Sequence, residues 1–258
     1  MRDLNITIVQ TELYWEDINS NLGHFDSVIN KISSDTDLIV LPEMFTTGFT
    51  MNAEKLAQTM NGKSVSWMKQ KSKETKTDIT GSLIIKEDQK FFNRLVWVKP
   101  NGELFFYDKK HLFRFSSEEK TFTPGSKRIV INLKDWRICP FVCYDLRFPV
   151  WTRNYHKTYD IAIFVANWPV IRSFHWKTLL AARAIENQAY IIGVNRVGQD
   201  GNNIDYSGDS SIIDPGGNII FQKSFESCVH TATIPFKPLQ EYRDKFPAWK
   251  DADNFIIP

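Results

Sequence analysis

The sequence predicts a mixed α/β domain, because short apolar runs typical of buried strands alternate with segments that have helical periodicity. Residues 4–10, LNITIVQ, alternate between apolar and polar side chains, as a strand does. Residues 21–32 place apolar side chains three and four positions apart, which predicts an amphipathic helix. The run DLIVLPE then predicts a short buried strand, stopped by Pro42 and followed by Glu43. Strand, helix and strand at this spacing predict a parallel unit, whose functional groups lie at the carboxyl ends of the strands.

From residue 78 onward, strand patterns joined by short turns predominate. DITGSLIIK, FFNRLVWVKP and GELFFYD predict three strands, with PNG as the hairpin signal between the last two. Next come two strands, RIVINL and WRICPFVC, and the helix-like stretch FPVWTRNYHKT. They are followed by the strand DIAIFVAN, the helix SFHWKTLLAARAIENQA and the strand YIIGVN. SGDSSIID, NIIFQKS and CVHTATI complete the sheets, and PFKPLQEYRDKF predicts a last helix. No linker rich in Pro, Gly or Ser divides the chain, which predicts one domain.

Composition excludes several classes of protein. Thirty-two Lys and Arg residues against thirty Asp and Glu leave a net charge of +2, and the basic residues are scattered, so we expect no nucleic-acid partner. The first residues carry acidic side chains around a short apolar alternation, which is unlike a signal peptide. No apolar run approaches the roughly 18 residues that a membrane helix needs. We therefore expect a soluble, cytoplasmic protein.

Cysteine and histidine spacing predicts neither disulfides nor a metal site. Cys139, Cys143 and Cys228 form no C-x-x-C pair, and an odd count without a secretion signal favours reduced thiols. The five histidines are dispersed, and no HExxH motif is present. The glycines of VGQDGNN do not have the spacing of a nucleotide-binding loop. We expect no metal and no cofactor.

Three stretches carry residues suited to chemistry. In CPFVCYDLRFP, Cys143 follows a buried strand and precedes a turn, which is a nucleophile's position, although a lone cysteine is often only a buried thiol. Glu43 could act as a base on such a thiol, or could be a helix cap or surface charge. The run YDKKHLFRFSSEE adds lysines, a histidine and two glutamates after another strand end, a pattern that solvated loops also show.

Taken together and in this order, LPEMF, YDKKHLF and CYDLRFP resemble the glutamate, lysine and cysteine motifs of the nitrilase superfamily of carbon-nitrogen hydrolases. The resemblance extends into NWP, HWKTLLAARAIENQAYIIGVNRVG and GDSSIIDPGG, and it is strongest to the omega-amidase branch. It implies a four-layer α-β-β-α sandwich of two mixed sheets, formed by a single carbon-nitrogen hydrolase domain over residues 1–258. It also implies a homodimer, which could pair through the helix at 173–188 and the tail.

The resemblance assigns the catalytic residues by position. Glu43 matches the general base and Cys143 the nucleophile. In the K-x-H-L pattern the family's lysine falls on Lys109, and Lys110 occupies the variable position. The backbone N–H of Tyr144 is then expected to share the oxyanion with this lysine.

The family's second glutamate lies a few residues before a Pro-Gly step. The spacing to TPG favours Glu118 over Glu119, although the two are adjacent in the chain.

The omega-amidase resemblance implies a substrate as well. It would be the terminal amide of a short dicarboxylic acid monoamide, of the 2-oxoglutaramate or 2-oxosuccinamate type, hydrolysed to the acid and ammonia through a cysteine thioester. A substrate carboxylate favours an arginine partner, and Arg147 and then Arg172 are the candidates, unless Arg147 pairs with Asp145 or a glutamate. Trp168 and Phe115 are candidates for the pocket walls.

Other functions remain open on the sequence. A deaminated glutathione amidase or an N-carbamoyl amino acid hydrolase would share the motifs, and a non-catalytic binding protein could share the fold. A serine hydrolase is disfavoured because SGDSS lacks the G-x-S-x-G elbow. A papain-like pair of Cys143 with His175 stays possible on sequence order.

Overall fold

The computed structural model describes residues 3–32 and 35–254, which form thirteen strands and seven α-helices. The strands are β1 Leu4–Gln10, β2 Leu38–Val40, β3 Asp78–Glu87, β4 Lys90–Val98, β5 Leu104–Asp108, β6 Ile131–Leu133, β7 Trp136–Val142, β8 Ile161–Ala166, β9 Tyr190–Asn195, β10 Val197–Gln199, β11 Asp205–Ile213, β12 Ile219–Ser224 and β13 Cys228–Ile234. The helices are α1 Ile18–Ile29, α2 Ala53–Leu56, α3 Lys63–Thr75, α4 Glu118–Thr121, α5 Pro149–Thr152, α6 Ser173–Asn187 and α7 Phe236–Lys245. Several short 3-10 helices join them.

Two mixed sheets contain all of these strands. The first has the order β13-β1-β2-β3-β4-β5, in which β1, β2 and β3 are parallel to one another and the other pairs are antiparallel. The second has the order β10-β11-β9-β8-β7-β6, with β12 on β11. Its central strands β7, β8 and β9 are parallel. The parallel pair β1 and β2 is the unit that the sequence predicted from strand and helix alternation, and the prediction of two mixed sheets is confirmed.

The side chains of β2 show how the layers pack. Leu38 and Val40 point into the core that the two sheets share, whereas Ile39 packs in the cluster formed with α1 and α3. This alternation is the period of two that a strand imposes on its side chains. The inner face of the first sheet therefore lies on the second sheet, and its outer face is covered by helices.

Helix α6 lies close against the second sheet. The apolar residues Trp176, Leu179, Leu180 and Ala184 recur three and four positions apart, which predicts an inner face. Trp176, Leu180 and Ala184 are buried there, and Leu179 is partly buried against the same core. A Cβ atom on Gly193 of β9 would come within 2.5 Å of Leu180 Cδ1, so only glycine permits this approach. Gly193 therefore permits the close packing of α6 on β9.

Two boundaries differ from the predicted ones. Helix α1 begins at Ile18, three residues before the predicted start, because the Asp17 side chain caps it by accepting a hydrogen bond from the Ser20 backbone N–H at 3.0 Å. The helix-like segment after Phe148 yields only the four residues of α5 and a 3-10 turn. Along the part of the chain that the structure describes, no helix has the length and apolar character needed to cross a membrane.

Candidate active site

A buried lysine between two glutamates forms the centre of the site. Lys109 Nζ lies 2.9 Å from Glu43 Oε1 and 3.0 Å from both carboxylate oxygens of Glu118. All three side chains are inaccessible to solvent. Removing one partner of such a buried group typically costs about 3–5 kcal/mol, because a charge is left without compensation.

Backbone hydrogen bonds hold these three residues from separate parts of the chain. Lys109 follows β5 and donates its N–H to the Asn93 carbonyl at 3.0 Å, while Gly125 donates to the Lys109 carbonyl at 2.9 Å. Met44, next to Glu43, donates its N–H to Ser82 Oγ at 2.8 Å. The Phe113 N–H donates to Glu118 Oε2 at 2.6 Å. Loops thus anchored to strand ends bring the charges together.

Two asparagines complete the surroundings of Glu43. Asn93 Nδ2 donates to Glu43 Oε1 at 2.8 Å and to Glu118 Oε1 at 3.2 Å. The backbone N–H of Asn167 donates to Glu43 Oε2 at 2.8 Å, and its side-chain Nδ2 donates to the Glu43 carbonyl. Neither asparagine was singled out from the sequence, although Asn167 opens the NWP stretch directly after β8. Together they orient the carboxylate of Glu43.

Cys143 lies where β7 turns sharply into a 3-10 helix. Its φ of +45° is in the left-handed region, which costs free energy for a residue other than glycine and is common at functional sites. The charges that act on its thiol are those of Glu43, Lys109 and Glu118. The structure therefore brings together Glu43, Lys109, Glu118 and Cys143, the four predicted catalytic residues.

Asp145 ties the cysteine turn to the lysine loop, a role that the sequence did not reveal. Its carboxylate accepts hydrogen bonds from the Val142 N–H at 3.1 Å and from the Tyr107 hydroxyl at 2.7 Å. The other oxygen accepts from the His111 N–H at 3.0 Å and contacts His111 Nδ1 at 2.8 Å. Because Asp145 is engaged in this way, it does not pair with Arg147.

Burial, reinforced by the charge of Glu43, favours the protonated thiol of Cys143. Burial first of all raises the pKa of Cys143 well above its ordinary value, and the charge of Glu43 raises it further, with Lys109 opposing. Burial lowers the pKa of Lys109, but the charges of Glu118 and Glu43 outweigh it and raise the pKa overall. Burial raises the pKa of Glu118 despite the opposing charge of Lys109. A thiol in this setting needs a base at the moment of attack.

A cavity of about 810 Å³ opens onto Cys143 and Lys109. Trp168 and Phe115, the predicted pocket walls, both line it. Trp168 is buried, whereas Phe115 is 86% exposed and lies at the rim. Tyr144, whose backbone N–H is the predicted oxyanion donor, lines the cavity next to the cysteine. This N–H is in the first turn of a 3-10 helix, where no acceptor exists within the helix.

Both predicted carboxylate-binding arginines also line this cavity. Arg147 lies over the Trp168 ring at 5.0 Å, and its Nη2 is 2.9 Å from His175 Nδ1. Arg172 lies over the Phe113 ring at 5.2 Å. In the described ranges neither arginine forms a salt bridge with an acidic side chain.

The residues adjacent to the predicted ones lie elsewhere. Lys110 packs over the Trp151 ring at 5.4 Å rather than in the charged cluster. Glu119 is partly buried and leaves its Oε2 without a partner among the described residues. The alternative partner His175 is exposed and contacts Arg147, whereas the charges that act on the thiol of Cys143 are those of Glu43, Lys109 and Glu118. Within residues 3–32 and 35–254, no three potential ligands are grouped as a metal site.

Two mixed sheets packed face to face, with a cysteine, a lysine and glutamates at the strand ends, define the nitrilase-like class of carbon-nitrogen hydrolases. The chain belongs to the carbon-nitrogen hydrolase family, whose model matches residues 5–244. The resemblance seen in the three sequence motifs is thereby confirmed, as is the predicted class of enzyme, a hydrolase acting on carbon-nitrogen bonds.

Similar proteins cover the whole chain. Omega-amidase YafV of Escherichia coli (strain K12) is 48% identical over 260 residues, which are 100% of both chains. The 2-oxoglutaramate amidase of Bacillus subtilis (strain 168) is 31% identical over 95% of this chain and 96% of its own. The crystal structure of XC1258 from Xanthomonas campestris, a CN-hydrolase superfamily protein with an arsenic adduct in its active site, has a TM-score of 0.98 at 42% identity and covers 100% of both chains.

Proposed function

We propose that the protein hydrolyses the terminal amide of a short dicarboxylic acid monoamide, of the 2-oxoglutaramate or 2-oxosuccinamate type, to the acid and ammonia. The observation that carries the proposal is that Cys143 and Lys109, which is paired with Glu43, line one cavity together with two arginines. The full-length likeness to an omega-amidase and to a 2-oxoglutaramate amidase supports this choice of substrate.

In the proposed first step, Glu43 removes the thiol proton as Cys143 attacks the amide carbon. A base is needed because burial and the charge of Glu43 raise the pKa of the thiol. The oxyanion would be held by Lys109 and by the Tyr144 backbone N–H, and such donors are typically worth about 3 kcal/mol each. Lys109 has three N–H groups, so one can turn from Glu118 to the oxyanion while another stays on Glu43.

Collapse of this intermediate expels ammonia, protonated through Glu43, and leaves a thioester on Cys143. Water then attacks the thioester with the same carboxylate as base, which restores the thiol. Glu118 keeps Lys109 in place throughout, and it accepts two of the lysine's contacts. Asn93 joins Glu118 to Glu43 by donating to both carboxylates.

The far carboxylate of the substrate would bind Arg147 first and Arg172 second. Both guanidinium groups lie over aromatic rings at the cavity wall, which fixes their planes without using their charge in a salt bridge. Trp168 would form the apolar wall beneath the carbon chain, and Phe115 the outer edge. Arg147→Ala should raise KM for a monoamide substrate more than it lowers kcat.

Ammonia release from a panel of small amides tests the proposal. Turnover of 2-oxoglutaramate and 2-oxosuccinamate above that of deaminated glutathione and N-carbamoyl amino acids is expected. Carbon dioxide released together with ammonia would identify an N-carbamoyl hydrolase instead. Absence of ammonia from every amide, with a folded protein, would indicate a binding protein on the same fold.

We also propose that residues 1–258 act as one domain and that two chains pair. The shared core of the two sheets supports the single domain.

Phe174 and Ile185 of α6 are 74% and 52% exposed and offer apolar contacts to a second copy. Residues 255–258 of the tail lie outside the described residues. Sedimentation as a monomer at micromolar concentration would contradict pairing.

The three free cysteines support a reducing, cytoplasmic location.

A further inference from the structure

Asn167, which lines the cavity, has a buried side-chain oxygen that takes part in none of the interactions described above. The side-chain oxygen Oδ1 of Asn167 accepts no hydrogen bond in the part of the chain that the structure describes. Asn167 is only 4% exposed, and among the residues with such an orphaned atom it alone lines the cavity. A buried acceptor without a donor costs free energy, so its retention at a site calls for a ligand.

The orientation of this amide follows from its neighbours. Nδ2 donates to the backbone carbonyl of Glu43, and the Asn167 backbone N–H donates to Glu43 Oε2. Rotating the amide by half a turn would place Oδ1 against the Glu43 carbonyl, where two acceptors would repel each other. The backbone N–H and the Nδ2 group of Asn167 are therefore both held by Glu43, and Oδ1 is left for a partner in the cavity that Asn167 lines.

The substrate's leaving nitrogen is the group that can supply the missing donor. A primary amide brings one acceptor, its carbonyl oxygen, and two N–H donors to the site. Glu43 Oε1 already accepts from Lys109 and Asn93, and Oε2 already accepts from Asn167. Asn167 Oδ1 is an uncharged acceptor that no other described residue uses.

We propose that Asn167 Oδ1 accepts a hydrogen bond from the amide nitrogen of the substrate and so selects substrates whose leaving group carries N–H. This inference rests on the proposed amide hydrolysis and adds the recognition of the leaving group. An uncharged acceptor holds the nitrogen without taking its proton, which leaves proton transfer to Glu43. An ester of the same acid has no hydrogen on its leaving group, so it cannot use this contact.

A substrate pair that differs only in the leaving group tests the role. Succinamate and monomethyl succinate have the same acyl part, and kcat/KM is measured for both. Asn167→Ala should lower kcat/KM for the amide about tenfold more than for the ester, the loss expected for one hydrogen bond. An equal loss for the two substrates would overturn the inference.

Asn93→Ala is the matched control. Asn93 also holds Glu43, at 2.8 Å, is 1% exposed, and has both of its side-chain atoms engaged by other side chains. If a displaced Glu43 changes the ratio of kcat/KM for the amide to kcat/KM for the ester, that change appears in Asn93→Ala too. The inference requires a larger change in selectivity for Asn167→Ala than for Asn93→Ala, and an equal change in both variants would contradict it.

A crystal structure of Cys143→Ala with succinamate provides a second readout that does not depend on an Asn167 variant folding. The amide nitrogen should lie about 3 Å from Asn167 Oδ1. A nitrogen bound beyond hydrogen-bond distance would overturn the inference even if the substrate is turned over. If the wild-type enzyme hydrolysed neither this amide nor those of the panel above, the proposed function would fail, and the inference with it.

Discussion

Lys109 Nζ lies 2.9 Å from Glu43 Oε1, and neither side chain is accessible to solvent. The contact joins residues 66 positions apart in the sequence. It places the cation beside the carboxylate whose charge raises the pKa of the Cys143 thiol most after burial. The proposed chemistry depends on this pair.

Replacing Lys109 by alanine should lower kcat by about a hundred- to a thousand-fold, because an oxyanion donor is lost. The variant should also be less stable, since Glu43 and Glu118 would face each other without a cation. Lys110→Ala is the control, because Lys110 packs on Trp151 outside the cluster. Ammonia release and thermal unfolding of the two variants provide the measurement. A dead Lys110→Ala with an active Lys109→Ala would show that the two lysines have been assigned in the wrong order.

Glu43→Gln should separate turnover from thiol reactivity. Loss of the base should reduce ammonia release by about a hundred- to ten-thousand-fold. The charge of Glu43 raises the pKa of Cys143, so its removal should lower that pKa and make alkylation by iodoacetamide at neutral pH faster than in the wild type. Alkylation is followed by mass spectrometry, with Glu119→Gln as the control. Slower alkylation of Glu43→Gln would mean that the charge does not hold the thiol protonated.

Substitution of the adjacent residues Glu118 and Glu119 should have very different effects on kcat. Glu118→Gln weakens the hold on Lys109, and we expect a loss of kcat of at least about tenfold with a smaller change in KM. Glu119→Gln should leave both constants close to those of the wild type, because no contact of Glu119 with Lys109 is found in the described residues. Steady-state kinetics on one amide checks this. The reverse order would make Glu119 the second glutamate of the site.

Much of the fold and the identity of the family could be predicted from local patterns. The run LNITIVQ coincides with β1, and the spacing of apolar residues in α6 matches its buried face. Asn93 and Asn167 could not be found in this way, because they become part of the site only through contacts with Glu43 across 50 and 124 residues. An asparagine in a strand or after one has no local signal for such a contact. The roles of the catalytic residues themselves remain predictions.

Asp78 gives a prediction about stability against pH. Burial raises the pKa of Asp78 to about 6, with the hydrogen bond from Trp97 Nε1 opposing the shift. The folded state therefore favours the protonated acid. The contribution of Asp78 to the free energy of unfolding is greatest below pH 3.8, the ordinary pKa of the group, and is lost as the pH rises through about 6.

Asp78→Asn should remove this dependence and raise stability above pH 6 relative to the wild type. Thermal unfolding across this pH range measures it, with the exposed Asp88→Asn as the control. A variant that loses stability equally at every pH would show that Asp78 is ionised in the folded protein throughout the range.

The most direct test of the central claim is the covalent state of Cys143 during turnover. The enzyme is mixed with 2-oxoglutaramate, quenched in acid and analysed by mass spectrometry, with fragmentation to locate any adduct. We predict an acyl group on the Cys143 sulfur, formed together with ammonia, and neither adduct nor ammonia with Cys143→Ala. Ammonia release by Cys143→Ala at the wild-type rate, or an acyl group on Cys139 in its place, would contradict the account.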